Sequence, residues 1–154
     1  MSSNFALTGH GGVVITLQKS QLILDEGSVI ANNSASGYGA VVAGYSLHLE
    51  INNRSEIYGN SAINGYGGVM AVADCTFRHG APFDYITCAT PNARNLTNVV
   101  TIKVEGGSSI RDNSAGNSGG VLFTTTTSAI TVRGGSVMSS NRAHSNGGVG
   151  TNNL

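Results

Sequence analysis

Charge is scarce in this sequence. Lys, Arg, Asp and Glu make up 10% of its 154 residues, eight basic and eight acidic, so the formal net charge is zero. Without a basic excess there is no electrostatic footprint for nucleic acid or for an anionic membrane surface. No apolar run approaches the roughly 20 residues that span a bilayer. The opening MSSNFALTGH has neither the basic start nor the apolar core of a secretory leader. Apolar residues do not recur with a 3.6-residue period, so helices are not expected. The acids Asp25, Glu26, Glu50, Glu56, Asp74, Asp84, Glu105 and Asp112 stand mostly alone, and His10, His48, His79 and His144 lack metal-ligand spacing. No Gly-Gly-x-Gly-x-Asp calcium repeat occurs. No catalytic residue, metal ligand or cofactor is therefore assigned. Low charge implies disorder only when apolar residues are scarce as well, and here they are 40%.

Glycine, by contrast, is abundant at 22 residues, and it recurs in a pattern. Five copies of one motif run through the chain: an apolar residue, two spacers, Asn, one residue, Ala, then Gly-Gly-Val or a variant. They are MSSNFALTGHGGV from Met1, IANNSASGYGAV from Ile30, IYGNSAINGYGGV from Ile57, IRDNSAGNSGGV from Ile110 and MSSNRAHSNGGV from Met138. The glycines Gly11, Gly39, Gly67, Gly119 and Gly147 are separated by 28, 28, 52 and 28 residues, so the third step holds 24 extra residues. A fixed period of this length is the signature of a solenoid.

Each repeat carries three strand-like runs bounded by turn residues. The first follows the glycines, as in Val41-Val42-Ala43. The second alternates, as in Leu47-His48-Leu49-Glu50-Ile51. The third is short and ends at the repeated Asn. Three strands per 28-residue coil predict an all-β, right-handed parallel β-helix of about four and a half coils, one domain over 1–154. Stacking coils about 4.8 Å apart aligns Leu22, Leu49, Ile102 and Ile130 in one inward column and Leu24, Ile51, Val104 and Val132 in another. Ile30, Ile57, Ile110 and Met138 form a third. Asn4, Asn33, Asn60, Asn113 and Asn141 are expected to form an amide ladder at a corner, bonding one another and turn backbone. Ala35, Ala62, Ala115 and Ala143 fit where that corner is tight. Glu50 beside Lys103, and Glu105 beside Arg133, would pair across coils.

The repeated Gly-Gly-apolar and apolar-x-x-Asn motifs resemble the repeats of polymorphic outer membrane proteins, and more widely the right-handed parallel β-helices of adhesins and autotransporter passengers. The resemblance covers nearly all of the chain outside the extra residues. It departs in having Met1, Ile30, Ile57, Ile110 and Met138 where that family typically has Phe. It implies an extracellular or cell-surface location and an adhesive or scaffolding role, and it supplies no catalytic residue.

The inserted loop, 74–98, holds both prolines and both cysteines. Cys75 and Cys88 suggest a local disulfide in an oxidising compartment, the alternative being two free thiols. The loop also gathers Phe77, Arg78, His79, Phe83, Asp84 and Tyr85, a candidate binding loop; it would otherwise shield one face of the coil. Asn32, Asn53 and Asn95 begin N-x-Ser/Thr sequons and are glycosylation candidates. His10, Tyr38 and Tyr66 share one turn position, where stacked rings serve packing or a sugar platform. In the first strand both parities are apolar, so Val14, Val42, Met70 and Leu122 are expected to face outward as a lateral interface.

The sequence opens at MSSN and closes at GGVGTNNL, mid-repeat in both cases. Either it continues as a longer solenoid or subunits cap one another end to end, which propagates into a fibre. The leading expectation is a non-enzymatic extracellular structural protein whose partner is itself. The alternatives are an adhesin module recognising glycan or protein, and a pectin-lyase-like carbohydrate-active enzyme. Neither nucleic-acid binding nor membrane insertion is expected.

Overall fold

A computed structural model describes residues 1–7, 10–72, 75–78, 85–88, 100–124 and 127–152, of which 17, 18, 45, 75–78, 85–88, 151 and 152 are described as backbone only. The fold is an all-β parallel solenoid of about four turns. Each turn places strands in three parallel sheets. The largest contains Val14–Leu24, Val42–Ile51, Met70–Val72, Val100–Val104, Leu122–Thr124, Ser128–Val132 and Gly150–Asn152. The second stacks Val29–Ala31, Glu56–Tyr58, Ser109–Arg111 and Val137–Ser139. The third stacks the dipeptides Phe5–Ala6, Ser34–Ala35, Ser61–Ala62, Ser114–Ala115 and Arg142–Ala143. The first and second runs of each repeat thus share one sheet. The residue pair ending in Ala after each ladder Asn makes a short strand of its own, where the repeat predicts a tight corner.

The register puts like on like. Leu22 lies opposite Leu49, which lies opposite Ile102, which lies opposite Ile130. Ile30, Ile57, Ile110 and Met138 align in the same way. Leu49, Ile51, Ile57, Ile102 and Ile110 are fully buried, each worth about 1.5–3 kcal/mol on removal from water. They form one continuous core with Val41, Val69 and Val121.

The corner before the first strand needs glycine. Gly39 and Gly67 have φ of +61° and +70°, the left-handed region. A Cβ on Gly39 would also meet Val42 O at 2.0 Å.

One expectation is corrected here. Val42, Met70 and Leu122 are buried and Val14 is half-buried, so they form no lateral interface. The N–H groups of Val41 and Val42 both donate to Val69 O, at 3.0 and 2.9 Å, and those of Val69 and Met70 both donate to Val121 O, at 3.1 and 2.8 Å. Two successive amides on one carbonyl mark a bend in the strand. There the period-2 alternation fails, and both side chains turn into the core. Of the positions one residue later, Ile15 is exposed, whereas Ala43, Ala71 and Phe123 are buried outside the main core cluster.

Candidate functional site

The most regular polar feature is the Asn ladder, confirmed rung by rung. Asn33 Nδ2 donates to Asn60 Oδ1 at 2.9 Å, Asn60 Nδ2 to Asn113 Oδ1 at 2.9 Å, and Asn113 Nδ2 to Asn141 Oδ1 at 2.9 Å. Asn4 joins below, its Nδ2 on Asn33 Oδ1 at 2.9 Å. The backbone N–H groups of Asn4, Asn33, Asn60 and Asn113 each donate to the same oxygen as their side chains, at 2.9, 3.0, 3.0 and 3.1 Å. Asn33, Asn60 and Asn113 are fully buried, where an unpaired amide would cost about 1–3 kcal/mol. The residue before each rung takes positive φ at Ser3, Asn32, Asp112 and Ser140, which swings the Asn inward.

Serines form a second ladder. Ser28 N–H donates to Ser55 Oγ at 3.1 Å, Ser55 N–H to Ser108 Oγ at 3.2 Å and Ser108 N–H to Ser136 Oγ at 3.0 Å. Its signal was the serine that recurs just before each third strand. Both ladders run the same way: each coil gives its N–H to a side-chain oxygen of the coil that follows.

On the outer surface, aromatic rings line up across four coils. His10 and Tyr38 ring centroids are 4.9 Å apart, Tyr38 and Tyr66 are 5.1 Å apart at 14°, and Tyr66 and Phe123 are 4.4 Å apart. Phe123 fills the place of Ser118, which follows Tyr66 in the turn column. The substitution comes from a different position of the repeat and is invisible in alignment. Tyr38 N–H donates to His10 Nδ1 at 2.9 Å, so His10 holds its proton on Nε2 when neutral. Burial lowers the His10 pKa below its ordinary 6.5. Burial, and then the neighbouring Tyr66, raise that of Tyr38. Because the rings cover one another's faces, a sugar has little free ring face to stack on, and packing explains the column.

Charged pairs tie coils together. Arg133 Nε lies 2.7 Å from Glu105 Oε1, as the spacing predicts. Arg111 bridges Glu56 and Asp112 at 3.1 Å each and lies 4.3 Å over the Tyr58 ring. Lys103 is in register with Glu50, but the Glu50 carboxylate meets His48 Nε2 at 3.4 Å. His48 Nδ1 contacts Thr101 Oγ1 of the next coil. Beside them runs an open groove of about 540 Å³ lined by Lys19, Ser20, Gln21, Ser46, Leu47, His48 and Thr101. No group of three or more His, Cys, Asp or Glu among the described residues could hold a metal ion.

The inserted segment leaves the solenoid as an antiparallel pair, Cys75–Arg78 with Tyr85–Cys88, in which Cys75 is the register partner of Cys88. Of the candidate binding loop, Phe77, Arg78 and Tyr85 are described as backbone only. His79, Phe83 and Asp84 lie outside the described residues, as does Asn95. Asn32 and Asn53 are exposed at turns. Asn53 Nδ2 donates to Asp25 Oδ1 at 2.7 Å.

No family model, no curated protein and no solved structure matches this chain.

Proposed function

We propose that this chain is a non-enzymatic extracellular structural protein, a β-solenoid subunit that stacks end to end with copies of itself into a fibre or surface layer. The observation that carries the reading is the common polarity of the two ladders. Asn4 is an acceptor rung by its Oδ1, and Asn141 is a donor rung by its backbone N–H. The bond already made four times between coils therefore has complementary halves at the two outer coils. Because the halves differ, association is head to tail, and a head-to-tail contact that does not close into a ring propagates. The likeness of the repeats to those of polymorphic outer membrane proteins supports a surface location. Asn32, Asn53 and Asn95 are the glycan acceptors if the protein is secreted through a glycosylating pathway.

Electron microscopy of the protein tests this. The expected result is a fibre with a layer line near 4.8 Å and a subunit rise on the order of 22 Å. Ile130→Lys with Val132→Lys, on the exposed strand of the last full coil, should leave discrete, folded particles. Discrete particles from the unaltered chain at high concentration would overturn the reading.

A second reading has its own observation, the antiparallel pair of Cys75–Arg78 with Tyr85–Cys88. An antiparallel strand pair carried on a rigid rack suits an adhesin recognising glycan or protein. The pairing of Cys75 with Cys88 in register favours a disulfide at its base, worth roughly 3 kcal/mol in a chain-entropy account. Glycan-array binding that disappears when residues 74–98 are removed would favour this reading over the fibre.

A further inference from the structure

We propose that Tyr38 and Tyr66 form an oxidative cross-linking site, in which one carbon–carbon bond between the two phenol rings staples successive coils covalently. The two rings are nearly parallel, at 14°, with centroids 5.1 Å apart. Both are half-buried, so they are held in place while keeping part of each ring open to solvent. His10 and Phe123 close the ends of the stack, at 4.9 Å from Tyr38 and 4.4 Å from Tyr66. The backbone adds to the constraint, since Gly39 N–H donates to Tyr66 O at 2.8 Å immediately after Tyr38. Two phenols fixed in this way meet the main requirement of radical coupling, which is that a second radical be within reach before the first is quenched.

The chemistry balances with hydrogen peroxide and a peroxidase-type one-electron oxidant. Each phenol gives up one electron and its hydroxyl proton, leaving two tyrosyl radicals. The peroxide takes up both electrons and both protons and becomes two waters. The radicals join through the ring carbons beside the hydroxyls. Each ring then loses its hydrogen from the bonded carbon to its own oxygen, which restores two aromatic phenols. The net loss is two hydrogen atoms from the protein. The rings must tilt toward one another to bond, a motion that their partly open edges permit.

Tyr58 supplies the internal control. Its ring faces the Arg111 guanidinium at 4.3 Å rather than another phenol. The proposal is independent of how the solenoid associates, because both rings belong to one chain.

The test is treatment of the full chain with peroxidase and hydrogen peroxide, read by dityrosine fluorescence, by denaturing gel and by mass spectrometry of the digest. The expected product is a monomer that has lost two hydrogens, with the Tyr38 and Tyr66 peptides joined. Tyr66→Phe and, separately, Tyr38→Phe keep the stack and should reduce the monomer fluorescence to background, while Tyr58→Phe should leave it unchanged. Fluorescence that persists in the monomer of either Tyr38→Phe or Tyr66→Phe would overturn the proposal. So would cross-links found only in dimers and larger species, since those join different chains.

Discussion

Replacing Asn60 with Ala asks how much of the solenoid's stability the ladder carries. The side chain is fully buried and meets both neighbouring coils. Its Oδ1 accepts the backbone N–H of Asn33 at 3.0 Å and Asn33 Nδ2 at 2.9 Å. Its Nδ2 donates to Asn113 Oδ1 at 2.9 Å and to Tyr58 O at 3.0 Å. Truncation leaves the Asn33 backbone N–H buried without an acceptor and takes one bond from Tyr58 O. The orphaned N–H costs about 1–3 kcal/mol and the lost bond about 0.5–1.5 kcal/mol, so the total falls at about 1.5–4.5 kcal/mol. That is a sizeable share of the roughly 5–15 kcal/mol that holds a typical domain folded. Asn4→Ala is the reference, because Asn4 is exposed and its side chain, among the described residues, hydrogen-bonds Asn33 alone; about 1 kcal/mol is expected there. Asn60→Asp separates hydrogen bonding from simple loss of volume. It keeps the acceptor toward Asn33 but turns a carboxylate toward Tyr58 O and Asn113 Oδ1, so acceptor faces acceptor. It should destabilise at least as much as Ala. Urea unfolding of monomeric protein measures all three, provided the slope with denaturant stays constant. If Asn60→Ala and Asn4→Ala differ by less than about 0.5 kcal/mol, or if Asn60→Asp is neutral, the ladder is not a stabilising element and the reasoning fails.

Three further outcomes follow from the coil geometry. Ile110→Asp places a carboxylate in a fully buried column and should abolish folding, seen as loss of the β-sheet circular dichroism signal; a normal spectrum would refute the inward column. Gly39→Ala and Gly27→Ala both put a Cβ on a left-handed residue, at φ +61° and +74°. Only Gly39 meets backbone, Val42 O at 2.0 Å, whereas nothing lies within 4 Å of Gly27. Gly27→Ala should therefore cost about 1–2 kcal/mol and Gly39→Ala clearly more in the same denaturant assay; equal costs would remove the close approach as a cause. Burial holds the folded His10 pKa below its ordinary value of 6.5. Its contribution is then full above 6.5 and is lost as pH falls below that value toward the folded pKa, because the unfolded chain takes up the proton first. His10→Gln should flatten that part of the stability–pH curve, and an unchanged slope would contradict the assignment.

The inward columns and the Asn ladder were readable because stacking places one repeat position directly above the same position of the next coil. Leu49 over Leu22, and Asn60 over Asn33, need only the period. The lateral stripe was misread because the alternation rule assumes a straight strand. Val41 and Val42 sit on a bend where two amides share Val69 O, and no side-chain pattern reports that. Phe123 escaped for another reason. It completes the aromatic column from a different place in the repeat, five residues after Ser118, so only the folded coil brings it to Tyr66. The Ser ladder was legible from its recurrence, but serine is common throughout this sequence and the column did not stand out. The groove beside His48 and Thr101 depended on a contact between outward residues of adjacent coils, which the register implied without fixing the side chains.

The spacing of the rungs has a consequence for how much chain the solenoid can carry. Asn33 and Asn60 are 27 residues apart, Asn60 and Asn113 are 53 apart, yet the amide bond is 2.9 Å in both. Doubling a loop adds only about 0.6 kcal/mol of closure entropy. The lengthened connection is therefore inexpensive beside the rungs on either side of it. The exit after Val72 behaves as a port: guest segments of other lengths and chemistries, inserted there, should hang from the rack without shifting a single rung.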